Sequence, residues 1–367
     1  MATKGVFSLF AAAGALLLGQ SSFGQNQLPP PGDPLELVTG QIQVADSAGS
    51  REAAFQLLAQ ARSRYSVRNA GVGYDLKVSF SVNSGGQTDF DGAWQMEDIF
   101  DLQQGLRWTA SATGGFSTAQ ISANGRFYRE GSADTVPLRL HEARAALFDP
   151  IPASGNIDRS RIRTSNSTFN GILVTCVLLS DPKSGAASSS GRSWDETEVC
   201  VDPQSGLLQT QSQVPGRYFA YDYSNAPGLG DYVLPHKVTV TEGGRMVSEI
   251  AVESLTEHPS APAGLFTPSA QMKSRGAATE MGSAQKISRV IGPTPVPAGA
   301  TVDTVCVFGL VTPSGQLVEA HSLQPSDPNS SAAVEAARQM KFSTAVPRGA
   351  RPQQHFVFLL EKFVSSK

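Results

Sequence analysis

Three cysteines, five histidines and one short acidic run hold most of the chemistry that this 367-residue chain could offer. His141-Glu142 begins like a helical zinc-hydrolase motif, in which two imidazoles one turn apart hold the metal. Ala145 stands where the second imidazole is needed, so no metal site is read here. The Gly-x-Ser-x-Gly turn that exposes a nucleophilic serine is absent. Gly228-Leu229-Gly230 lacks the third glycine of a dinucleotide loop, and no Gly-Lys-Ser phosphate cradle occurs. Asp195, Glu196 and Glu198 cluster beside Trp194. A glycosidase pair is imaginable there, but carboxylates so close in sequence read as a solvated hairpin face. These residues imply no catalytic group and no cofactor, so the chain is read as a binding protein rather than an enzyme.

The cysteines point to a compartment. Ile172–Leu179 and Thr197–Val201 are apolar and β-prone, and a Ser/Gly-rich stretch joins them. Paired as an antiparallel hairpin centred near residue 188, they set Cys176 opposite Cys200, where a disulfide forms in an oxidising compartment. Reduced buried thiols are the alternative. Cys306 is left over, read as a small buried hydrophobe.

The N-terminus agrees with export. Lys4 precedes the apolar run Val6–Leu18, and Ser22-Phe23-Gly24 supplies small residues for a signal peptidase. Residues 1–24 are read as a Sec-type signal peptide cleaved after Gly24; an uncleaved anchor is the alternative. The apolar run is shorter than the roughly 20 residues of a membrane span. The protein is therefore expected in the periplasm or secreted. A formal charge of −3 leaves no basic surplus to hold a phosphate backbone, which argues against nucleic acid as a partner.

Four segments beyond the signal peptide position these residues. A Pro-containing lead-in covers 25–44, a sheet-rich domain 45–269, a Gly/Ala/Ser/Pro linker 270–300 and a terminal unit 301–367. The middle domain opens with a helix over Ser47–Tyr65, whose stripe is Ala54, Leu57, Leu58, Ala61 and Tyr65. In Tyr74–Val82, Tyr74, Leu76, Val78 and Phe80 alternate with polar residues, as in a half-buried antiparallel strand. Strands are further predicted around Ala93–Phe100, Arg107–Ala112, Ala119–Ser122, Arg126–Glu130 and Tyr218–Tyr223, with an Asn124-Gly125 turn. Leu138–Leu147 reads as a helix. Pro235–Thr241 and Arg245–Leu255 form a hairpin across Glu242-Gly243-Gly244.

The middle segment resembles the LolA and LppX type of periplasmic lipoprotein carrier. The resemblance rests on the opening helix, on Val201-Asp202-Pro203-Gln204-Ser205-Gly206-Leu207-Leu208, on Tyr232-Val233-Leu234-Pro235, and on Leu265-Phe266 before Pro268. It implies a curved antiparallel sheet with covering helices, and a lipid or other apolar ligand against Tyr74, Leu76, Val78 and Phe80. The alternative is that these four simply make the core.

The terminal unit reads as strand, strand, helix, strand, and resembles the C-terminal domain of the TonB family of energy transducers. The matching residues are Val302–Val311 with its Pro-Ser-Gly turn, Ala332–Arg338, Lys341-Phe342, Ala345 and Phe356–Phe363. Met340 stands where the family has Trp. The resemblance implies a small ββαβ domain that docks an outer-membrane receptor or other envelope protein by strand pairing. Gln353, His355, Val357, Leu359 and Glu361 would mark the open edge. The fold class is thus α+β, and the leading functional expectation is a docking protein linked to envelope transport. An apolar-ligand carrier is the second.

Overall fold

The computed structural model describes residues 42–45, 47–85, 90–123, 125–132, 136–152, 157–182, 192–193, 196–258, 260–276, 287–295, 304–312, 314–342 and 355–364. The signal-peptide region, Asn124, Trp194, Asp195, Gln353 and most of the lead-in lie outside them.

The chain starts with β1 (Gln43–Val44) and α1 (Ala48–Tyr65). Ser47 caps α1 by accepting from the Ser50 amide, which satisfies one of the free first-turn donors. Next come β2 (Tyr74–Val82), β3 (Gly92–Asp101), β4 (Gly105–Ala112), β5 (Ser117–Ala123) and β6 (Arg126–Gly131). Then follow α2 (Leu138–Phe148), β7 (Arg161–Phe169), β8 (Ile172–Ser180), β9 (Thr197–Val201), β10 (Leu208–Val214) and β11 (Arg217–Asp222). A small ribbon of β12 (Gly228–Leu229) and β13 (Tyr232–Val233) precedes the hairpin of β14 (Lys237–Glu242) and β15 (Arg245–Glu257). Gly243 and Gly244 both take positive φ, as the two-residue turn of that hairpin demands.

Thirteen strands form one antiparallel sheet, ordered β1-β7-β8-β9-β10-β11-β14-β15-β2-β3-β4-β5-β6. At about 4.8 Å per strand a flat sheet of that size would be close to 60 Å wide. Yet a single core cluster draws Ile162 of β7 and Val177 of β8 together with Trp108 of β4. The sheet therefore curls around its contents, with α1 and α2 inside the curl, as the carrier-like expectation had it. Cys176 pairs with Cys200 in register and the two form a disulfide.

The segment read as a linker is structured in part. It contains α3 (Ala270–Arg275), capped by Ser269, and β16 (Ile287–Pro295). Ile287, Val290 and Ile291 carry enough β-propensity to pair, a signal masked by the Gly and Pro around them. β17 (Thr304–Val311), β18 (Leu317–Ser322), α4 (Asn329–Arg338) and β19 (His355–Val364) follow in the anticipated order. Their sheet runs β16-β19-β17-β18.

The two sheets are packed together rather than strung apart. One face of the small sheet, with Val305, Val307, Val357 and Leu359, packs on Ala333 and Ala337 of α4. The other, with Cys306, Phe308 and Leu310, packs on Leu138 and Val214 of the large domain. Cys306 is buried at that seam.

Candidate functional site

The final strand does not offer an open edge. β19 pairs with β16 in parallel on one side, Val357 facing Ile287 and Leu359 facing Arg289. On the other side it pairs with β17 antiparallel, Val357 facing Gly309 and Leu359 facing Val307. His355, Val357, Leu359 and Glu361 thus lie in an interior strand, with their backbone groups engaged. The edge expected of Gln353–Phe363 is overturned, because the supposed linker supplies the missing neighbour.

The acidic cluster is also different from its sequence reading. Glu196 and Glu198 are buried, not solvated. Arg163 donates from Nε to Glu196 over 2.9 Å, and Arg192 approaches Glu198 at 3.4 Å. Arg163 was invisible as a partner because 33 residues separate it from Glu196. Glu198 lies beside the sulfurs of Cys176 and Cys200, but oxidised sulfurs offer no thiolate to a metal.

The inner face of the large sheet is the place where sequence-predicted residues do come together. Tyr74, Leu76, Val78 and Phe80 all point into the curl, each at most 3% exposed. Phe80 stacks on Trp94 with centroids 5.1 Å apart, and Trp94 leans on Phe116 at 5.4 Å. Strict alternation in β2 produces this, since every second side chain reaches the same face. In this state the four are packed core, as the bland reading had it.

Two helices cover the face, and they are held differently. α1 inserts Ala54, Leu58, Ala61 and Tyr65, of which two are only methyl groups. Phe55 and Leu57 are half-buried. The Tyr65 hydroxyl meets that of Tyr223. Burial, then the neighbouring Tyr223 and Tyr221, push the Tyr65 phenol well above its usual range, so it stays a neutral donor. At the end of the β9–β10 turn Gly206 passes so near α1 that an added Cβ would sit 3.0 Å from Gln60 Nε2. Its positive φ of 71° fits glycine as well.

α2 is fastened by charge. Arg144 donates to Asp98 over 3.1 Å and lies 4.3 Å above the Trp108 ring. Asp98 also accepts from the Tyr74 hydroxyl at 2.9 Å, and Arg68 stands 3.6 Å away. Burial and the Asp98 charge push the Tyr74 phenol upward. Burial pulls the Arg144 guanidinium down, with Asp98 opposing. At the other end of α2, Arg139 reaches Glu142 at 2.8 Å and Glu242 at 2.6 Å. Arg217 joins the same carboxylates, and it approaches Glu242 at 3.1 Å. Glu142, from the false start of a zinc motif, is thus part of a buried ion network. Arg144 and Asp98 drew no attention in the sequence. The only available signal was the run of charged residues inside a helix that proves largely buried.

No family model matches the chain, and no curated protein matches it. Among solved structures, a LolA superfamily protein from Nitrosomonas europaea is 9% identical. That likeness covers 59% of this chain and 97% of the other, with a TM-score of 0.39. A DUF1329 family protein from Desulfovibrio piger is 10% identical over 59% of this chain and 96% of its own, with a TM-score of 0.37. At this level of similarity neither ligand nor activity follows. The TonB resemblance has no counterpart in either of these structures.

Proposed function

We propose that the protein is a non-enzymatic binding protein of the cell envelope that takes up an apolar chain between α1 and the inner face of the large sheet. The observation that carries this reading is the shallow grip of α1 on an extensive aromatic and aliphatic surface. Four buried side chains, two of them alanines, hold an 18-residue helix there. Their burial contributes on the order of 6 kcal/mol. An acyl chain of about fourteen methylenes gains on the order of 10 kcal/mol by leaving water. The apolar gain of such a chain thus exceeds that of these four side chains. α2, pinned by Asp98 and Glu242, stays as the fixed wall of the site.

Export to an oxidising compartment suits the Cys176–Cys200 disulfide. No helix among the described residues is long and apolar enough to cross a membrane. The test is native mass spectrometry on protein purified without detergent. A copurifying lipid or other apolar molecule, lost on mild organic extraction and regained on incubation, supports the reading. A homogeneous ligand-free mass that accepts no added apolar ligand contradicts it.

A further inference from the structure

One row of the inner face is polar. Leu76 stands opposite Asp98, Asp98 opposite Trp108, and Trp108 opposite Gln120 across consecutive strands. Directly opposed residues of an antiparallel pair leave the same face, so Asp98, Trp108 and Gln120 all point into the curl. Over β2 to β4 the rows beside it are largely apolar, Val78, Met96 and Ala110 on one side and Tyr74, Phe100 and Leu106 on the other, before they end in Thr118 and Ser122 on β5.

Gln120 is 1% exposed, yet among the described residues neither its amide nitrogen nor its amide oxygen has a hydrogen-bond partner. The Trp108 indole N–H, fully buried beside it, has none either. Nor does Nε of Arg144, whose guanidinium lies over the Trp108 ring. Each such group costs about 1–3 kcal/mol when left unpaired, and native interiors rarely carry several in one place. A row that served packing alone would be better filled by leucine.

We propose that Trp108 Nε1–H, the Gln120 amide and Arg144 Nε–H form a subsite for the carboxylate of a long-chain fatty acid, whose tail lies along the neighbouring apolar rows. This rests on the reading that the inner face admits an apolar ligand. Three donors against one acceptor select an anion. Arg144 already spends Nη1 on Asp98, so it has the edge that carries Nε to offer. The Asp98 charge repels any anion there, a phosphate dianion more strongly than a singly charged carboxylate, so the smaller charge is favoured.

The test titrates the delipidated full chain with oleate and with methyl oleate, each below its micelle concentration. The wild type binds oleate about tenfold or more tightly than the ester, the effect of one charge-assisted head-group interaction. Gln120→Leu and Trp108→Phe, both apolar and close in shape, keep ester binding and bring the two affinities to within about threefold. Equal binding of acid and ester by the wild type, or an undiminished acid preference in both variants, overturns the subsite while leaving the carrier reading intact. Binding of neither compound by the wild type overturns both.

Discussion

Arg217 holds its guanidinium 4.7 Å from the centroid of the Phe308 ring. Arg139 covers the same ring at 5.7 Å. Phe308 belongs to β17 of the small sheet, and the two arginines belong to the large domain, so this ring is a clamp between them. Beneath it, Glu142 and Glu242 neutralise both cations. The terminal unit is consequently part of the wall behind α2, not a module on a string.

Phe308→Ala removes the ring and leaves two buried guanidinium groups without their cover. The expected cost is about 3–5 kcal/mol. Urea unfolding followed by circular dichroism checks it, and the wild type should unfold in a single transition. A loss under 1 kcal/mol would mean that the seam is dispensable.

Acid should loosen the same seam. Burial opposes the charge on Glu242, but Arg139, and after it Arg217, hold its carboxyl down to about 2. A carboxyl with a depressed folded-state pKa stabilises the fold above its unfolded value, near 4.5. That stabilisation is lost as the pH falls from about 4.5 toward 2. Glu242→Gln should cost about 3–5 kcal/mol at neutral pH, because the arginines lose a buried counter-charge. It should also flatten the fall of the urea midpoint across that acid window.

Reduction of the Cys176–Cys200 bond, which closes a separation of 24 residues, should cost about 3 kcal/mol on the loop-entropy estimate. Matched denaturation curves with and without reductant measure this, and the Cys176→Ser, Cys200→Ser double variant should coincide with the reduced wild type.

Much of the large sheet was legible in the residues, and the reason is alternation. Tyr74–Val82 forms the strand its period of two predicts, and the Glu242-Gly243-Gly244 turn closes the hairpin it signals. β7 was missed because its Arg-Ile-Arg-Thr-Ser-Asn-Ser-Thr-Phe run carries little apolar alternation. β10 was missed for a related reason: Gln209, Gln211 and Ser212 are polar yet buried in the middle of the sheet. β16 was hidden by composition, and with it went the open edge expected of Gln353–Phe363. The polar row under α2 depends on register across four strands, which no local pattern encodes.

α1 should open before the rest of the domain. Its amides should exchange with deuterium at least tenfold faster than those of β2 and β3, because few buried contacts hold it. Bound ligand should change exchange in α1 more than in α2. Equal protection of α1 and β2 would argue against a lid.

The most direct measurement is quenching of inner-face tryptophans by a dibrominated stearate in a Trp194→Phe background, where Trp94 and Trp108 remain. Both are almost fully buried within the curl. A ligand beneath α1 should quench them saturably, and unbrominated stearate should restore the emission. Emission that stays constant, or falls only in linear proportion to added lipid, would contradict binding at the inner face.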